Sequence, residues 1–246
     1  MMTHDVSFVF LHGFLGRAET RFAGRTFEYF RGLRSVVAAT GIDAHVPQMP
    51  LITGIEERAE HVQPLLNEIT SAKVVLVGVS MGGLVARALA SRHDPEHRIT
   101  TVATIATPHR GSPQADRTLA GNTRLPGYLV EQFRPALHDL TVAEARAFNA
   151  RTPDRDDVRY LSWAFARDNN EMPGLFKKRQ QRIFELEGPN DGLVSVQSAS
   201  WGKLMEIERA DHLECIGWSP AFAKKEIARP YDQQGLWRRV IAACLC

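Results

Sequence analysis

Residues 73–90 read KVVLVGVSMGGLVARALA. Val74 to Val77 form an apolar run suited to a strand, and the segment from Met81 onward has the pattern of a helix. The turn between them is Gly78-Val79-Ser80-Met81-Gly82. Gly-x-Ser-x-Gly alone is a weak signal, but a strand before it and a helix after it give the setting of a nucleophile elbow. In such an elbow a cramped turn lifts the serine above the sheet, and glycines on either side leave it room. Ser80 is therefore a candidate nucleophile, and the amides at the helix start beside it are candidates for holding negative charge.

Other short, nearly continuous apolar runs resemble this strand: Val6 to Leu11, Ile99 to Ile105, Val158 to Ala164 and Ile183 to Leu186. Such runs suit parallel strands covered on both faces. Between them lie amphipathic stretches. Phe27, Phe30, Leu33, Val36 and Val37 recur at helical spacing, with Gly41 as the expected C-cap. Thr53-Gly-Ile-Glu56 and Thr141-Val-Ala-Glu144 match capping boxes, so a helix is expected to start at each, and Pro64 should kink the first. The alternation predicts an α/β fold with a mostly parallel central sheet flanked by helices. With 246 residues and 44% hydrophobic content, a single domain over 1–246 is expected. Pro and Gly loosen the pattern across 112–140, which marks a short cap or lid insertion.

The 30 Lys and Arg nearly balance 28 Asp and Glu, and no long run of one sign points to nucleic acid. No apolar run is long enough for a transmembrane segment. The chain shows no signal-peptide pattern, and its three cysteines, Cys215, Cys244 and Cys246, imply no disulfide framework. A cytoplasmic location is the expectation. A small-molecule substrate is the expected partner, and the oligomeric state is left open.

A serine needs a base to take its proton and a carboxylate to orient that base. In the elbow-bearing fold these follow in the order Ser, acid, His. Nine histidines compete. RIFELEGPNDGLV places Asp191 in a turn after what reads as an apolar strand, and KLMEIERADHLECIGW delivers His212 on a loop after an alternating strand. His12, His93, His97, His109 and His138 precede the acid, which leaves Asp191 and His212. FLHGFLG at 10–16 supplies a glycine-containing loop after the first strand. Its Phe14 backbone N–H, with that of Met81, forms the expected oxyanion hole. Leu15, Leu193 and Val194, with Leu125, Tyr128, Leu129 and Phe133 from the cap, are candidate substrate contacts, as is the Met81 side chain. Trp163 reads as core.

FVFLHGFLG, KVVLVGVSMGGLVAR, TVATIATPHRGS, LTVAEARAFN and NDGLVSVQSASWGKL followed by DHLE together resemble the bacterial triacylglycerol lipases of the Pseudomonas, Burkholderia and Proteus type, which are α/β-hydrolases. The resemblance spans most of the chain. It implies the same triad, the same oxyanion donors, and hydrolysis of acyl esters such as acylglycerols through an acyl-enzyme. A thioesterase, an acyltransferase, a polyester depolymerase and a non-catalytic binding relative are the alternatives. Val79 and Met81 stand where the family commonly has His and Gln, a change expected to alter the pocket walls. The lid-like segment is shorter than in long-lidded members. Many members hold a structural calcium beside the catalytic histidine with an Asp two residues after it. Here that position is Glu214, with Asp168 a loose partner, so calcium is not favoured and no cofactor is required.

Overall fold

The computed structural model of the chain describes residues 5–22, 25–218 and 231–246. Six parallel strands form the central sheet: β1 (Val6–Leu11), β4 (Asp43–His45), β5 (Lys73–Val79), β6 (Ile99–Ile105), β7 (Arg159–Phe165) and β8 (Lys203–Glu208). Their spatial order is β4-β1-β5-β6-β7-β8, and every neighbouring pair is parallel. A separate antiparallel hairpin pairs β2 (Glu19–Phe22) with β3 (Arg25–Glu28).

The continuous apolar runs follow from cover on both faces. Along β1, Phe8 and Phe10 enter one core while Val9 and Leu11 enter the other. In β5, Val75, Val77 and Val79 share the first core, and Val74 and Leu76 the second. Helices α1 (Leu33–Thr40) and α8 (Gln233–Leu245) cover the first face through Val36, Leu236, Trp237 and Val240. Helices α2 (Ile55–Glu68) and α3 (Met81–Arg92) cover the second through Ala59, Val62, Leu84 and Val85. Apart from the partly buried Val6, the apolar side chains of β1 and β5 are thus removed from water, at roughly 25 cal/mol per Å² of apolar surface. Trp163 is buried in the first core, as expected.

The chain order reverses direction across the sheet between β1 and β5, because β1 leads outward to β4 and the chain then returns to β5 on its other side. Ligand crevices in open α/β sheets open at such a switch point, beyond the carboxyl ends of the strands. That crevice receives the segment after Leu11 and the turn at Ser80.

Three sequence expectations need correction. Ile183 to Leu186 is not a strand but the last part of helix α7 (Gly174–Glu187). Ile183 is buried while Phe184 and Leu186 are 51% and 71% exposed, so the run presents one helical face to the core rather than two sheet faces. Phe27 lies in β3, not in the amphipathic helix, which starts only at Leu33 after Gly32 takes a left-handed conformation (φ 76°). Gly41 does close that helix, with φ 66° and its N–H on Val37 O.

Thr53 is not the cap of α2. The N-cap is Gly54, which shifts Glu56 one position too early for a capping box, and Thr53 Oγ1 has no partner among the described residues. Asp139 Oδ2 instead accepts the Ile55 N–H at 2.6 Å, and Glu56 turns to Arg92 and His93. Pro64 lies inside the helix. Thr141 does cap α6 (Val142–Arg151), its Oγ1 accepting the Glu144 N–H at 3.2 Å.

The segment 112–140 holds two helices, α4 (Pro113–Leu119) and α5 (Gly127–Asp139). Among the described residues no helix is long and apolar enough to cross a membrane.

Candidate active site

Ser80 stands between the last residue of β5 and the first of α3 with φ 54° and ψ −129°. A non-glycine residue in this region carries strain of roughly 1–3 kcal/mol. The fold holds it there by two backbone bonds: Ser80 N–H donates to Ile105 O at 2.8 Å, and Ser80 O accepts the Gly83 N–H at 3.0 Å. The flanking glycines are required by close approach. A Cβ on Gly78 would overlap the Gly82 backbone, and one on Gly82 would overlap the Leu11 carbonyl. The elbow is therefore wedged against the end of β1.

His212 follows β8 on a loop, and its Nε2 lies 3.1 Å from Ser80 Oγ. Its Nδ1 lies 2.7 Å from Asp191 Oδ2. Asp191 is 1% exposed and lies in the connection between β7 and β8, after α7. Its Oδ1 accepts the Leu193 N–H at 2.9 Å and the Val194 N–H at 2.7 Å. With one oxygen occupied by two backbone donors, the other is left for the imidazole N–H. That makes Nδ1 the protonated nitrogen and Nε2 the acceptor facing the serine hydroxyl. Burial pushes the His212 pKa down, but the charge and hydrogen bond of Asp191, with the nearby Asp211 charge, outweigh it, and the net shift is upward. The loop is fastened further by Cys215, a buried thiol on His212 O at 3.0 Å.

The loop after β1 is held by a buried polar group beneath it. Gly13 N–H donates to Tyr29 Oη at 3.0 Å and Leu15 N–H to Leu51 O at 3.1 Å. Between them, the Phe14 N–H has no acceptor among the described residues. It belongs to the same planar peptide as the Gly13 carbonyl, so fixing that oxygen fixes the N–H direction. Arg58 Nη1 donates to Gly13 O at 3.2 Å, and the His12 ring meets the same oxygen through Nδ1 at 3.1 Å. Met49 N–H donates to His12 Nε2 at 3.0 Å, which assigns the ring proton to Nδ1. Burial lowers the His12 pKa to about 4, consistent with a neutral ring. Arg58, wholly buried, also donates to Thr53 O and Leu51 O, and burial lowers its pKa to about 10. As the first residue of α3, Met81 has an N–H without an intrahelical partner by helix geometry.

Ser80 and His212 open into a cavity of about 850 Å³. Leu15, Leu125, Phe133, Leu193 and Val194 line it, as does Phe14, whose ring meets Phe133 edge-on at 5.4 Å. Tyr128 and Leu129 do not line it, and Tyr128 is 71% exposed: on α5 the wall is formed by the turn carrying Phe133 and Leu137. The Met81 side chain does not line it either. It is wholly buried in the second core, and Val79 is buried in the first, so the two departures beside the serine are packing differences rather than pocket walls. Trp218 lines the cavity, with its indole N–H on Tyr29 O at 3.1 Å. Trp201 lies elsewhere, under the Arg87 guanidinium and stacked on His109. The competing His93 and His97 pair with Glu56 and Asp157.

At the Glu214 position the neighbouring cation is a guanidinium. Glu214 is 4% exposed, its Oε2 accepts the Asp211 N–H at 2.9 Å, and Arg167 Nη1 lies 2.7 Å from the same oxygen. A guanidinium thus supplies the positive charge there. Among the described residues no group of three or more His, Cys, Asp or Glu is arranged to hold a metal. Arg167 also ties the two loops together: its N–H donates to Asn190 O, beside Asp191, and Nη2 to Arg209 O, before His212.

The family model of the PGAP1-like alpha/beta domain matches residues 55–165, which include Ser80 but neither Asp191 nor His212. Triacylglycerol lipase 2 of Saccharomyces cerevisiae is 29% identical over 205 residues, covering 78% of this chain. The chain spans 63% of the length of that relative. Among solved structures, the metagenomic carboxyl esterase MGS0156 superposes with a TM-score of 0.77 at 21% identity, over 98% of this chain and 76% of that one. Staphylococcus hyicus lipase gives 0.71 at 17%, over 98% and 95%. Mature Bacillus licheniformis lipase BlEst2 gives 0.66 at 22%, over 84% of each. The fold is that of the α/β-hydrolases, and the proteins the chain is similar to are lipases and esterases of several kinds.

Proposed function

We propose that this chain is a serine-dependent carboxylic ester hydrolase of the lipase and esterase kind. The observation that carries the reading is the Ser80–His212–Asp191 alignment at 3.1 and 2.7 Å, at the floor of a largely apolar cavity. Ser80 Oγ attacks the ester carbonyl while its proton passes to His212 Nε2. The carbonyl electron pair moves onto oxygen, where the Phe14 and Met81 N–H groups stabilise it; each such donor is typically worth about 10² to 10³ in turnover. The tetrahedral intermediate then breaks its bond to the alcohol oxygen, which takes the proton from His212. Water repeats the sequence on the acyl-enzyme and releases the acid. Asp191 stays ionised and stabilises the imidazolium. The chemistry draws on protein groups alone, and residues 112–140 act as a cap, with α5 forming one wall. An acylglycerol is the substrate suggested by the yeast relative and by the motif resemblance to the Pseudomonas, Burkholderia and Proteus lipases.

Ser80→Ala tests the reading. Hydrolysis of p-nitrophenyl esters is expected to fall by at least about 10³-fold with the unfolding transition retained. Activity equal to wild type would overturn the assignment.

A further inference from the structure

An ester pocket for a neutral lipid has no need of cations in its walls, yet two arginines line this one. Arg179 lies on α7, whose first nine residues, GLFKKRQQR, carry four cations and no acid. It is half-buried and borders the same cavity as Ser80 and His212. Arg17 borders it from the segment just after Phe14. Among the described residues neither guanidinium has a hydrogen-bond or ion-pair partner, and no Asp or Glu lines the cavity.

Buried guanidiniums elsewhere in this chain are engaged. Arg58 takes three backbone carbonyls, Arg87 takes Asn149 and Thr152, and Arg167 takes Glu214. At Arg179, desolvation lowers the pKa, and the neighbouring Arg182 charge adds to the effect. A partly desolvated cation without a counter-charge is destabilising unless a ligand anion completes it. A guanidinium is suited to that task because its planar fork matches the oxygens of phosphate or carboxylate.

We infer that the cavity takes acyl esters bearing a negatively charged group away from the scissile carbonyl, recognised by Arg179, with the exposed Arg17 also on the lining. This rests on the ester-hydrolase reading above. A phosphate on the alcohol side and a carboxylate at the end of the acyl chain present the same oxygen chemistry to the guanidinium.

Three esters of equal acyl length separate these sources: 1-octanoylglycerol, 1-octanoylglycerol 3-phosphate, and the glycerol monoester of octanedioic acid. The measurement is kcat/KM by acid release for the wild type, Arg179→Gln and Arg179→Lys. One charged ester is expected to exceed the neutral one by about tenfold or more, and which one it is identifies the anion. The ratio of charged to neutral should fall towards one in Arg179→Gln, carried by KM, and should be partly kept in Arg179→Lys. Neutral and charged esters hydrolysed equally by the wild type would overturn the inference, as would a preference undiminished in Arg179→Gln. Hydrolysis of none of the three would instead overturn the ester-hydrolase reading and the inference with it.

Discussion

Replacing Asp191 with Asn isolates what the buried carboxylate does. Its Oδ1 accepts two backbone N–H groups, from Leu193 at 2.9 Å and Val194 at 2.7 Å, while Oδ2 faces His212 Nδ1 at 2.7 Å. An Asn amide must keep its oxygen on the Leu193 and Val194 side. Turning it over would press an NH₂ against two donors and leave both without acceptors, at about 1–3 kcal/mol each. The NH₂ therefore points at His212, which can accept it only by moving its own proton from Nδ1 to Nε2. Every hydrogen bond survives, but Nε2 now donates to Ser80 and can no longer take its proton.

The imidazolium also loses its counter-charge. Together these are expected to lower kcat by about 10⁴, or about 5.4 kcal/mol in activation free energy. The melting temperature should change little, because the variant keeps the packing and the bond count. The assay is p-nitrophenyl butyrate hydrolysis beside a thermal unfolding scan. A folded Asn variant that loses less than tenfold in kcat would refute the tautomer argument, and with it the role given to Asp191.

Three further expectations follow from the same geometry. Since the His212 pKa is raised and the imidazole must be neutral to act as base, kcat/KM should be lost as pH falls through a value above the ordinary 6.5 of histidine; an acid limb lying below that value would contradict the Asp191 contact. Arg58→Met should cut kcat by roughly tenfold or more, up to the 10² to 10³ worth of one oxyanion donor, because the Gly13 carbonyl loses its charged donor and keeps the His12 ring and the Gly16 N–H. Arg58→Lys should not restore it, since one ammonium cannot span the three carbonyls, and wild-type turnover in either variant would show that Phe14 needs no such support. Arg167→Met strands the buried Glu214 carboxylate and should cost roughly 3–5 kcal/mol in denaturant unfolding. Chelator should leave wild-type activity unchanged, and inactivation by EDTA would refute the guanidinium's place as the local cation.

Much of the fold was legible because its signals are local. Val6–Leu11, Lys73–Val79 and Ile99–Ile105 are largely buried on both faces, and their nearly continuous apolar runs are what strands covered on both sides require. The Ile183–Leu186 run misled because three apolar residues in four positions do not separate a strand from one face of a helix. The Thr53 cap failed because its competitor, Asp139, lies 84 residues from Ile55. Ser80, Asp191 and His212 were readable from order and turn chemistry, since a nucleophile elbow constrains its own neighbours. Tyr29, Arg58, Arg167 and Arg179 carried no comparable signal. Their roles come from what the fold sets beside them, and a lone arginine in a helix reads as a solvated one.

The sequence by itself determined the class of sheet and pointed to the three side chains that the fold sets in line, because strand periodicity and the Gly-Val-Ser-Met-Gly turn are properties of short segments. Only the tertiary structure decided that Met81 and Val79 are core and that Arg58 grips the Gly13 carbonyl. It also decided that a guanidinium holds Glu214 and that Arg179 faces the cavity. Those are contacts between elements remote in sequence, fixed by the crossing of the chain between β1 and β5 and by the packing of helices over the sheet.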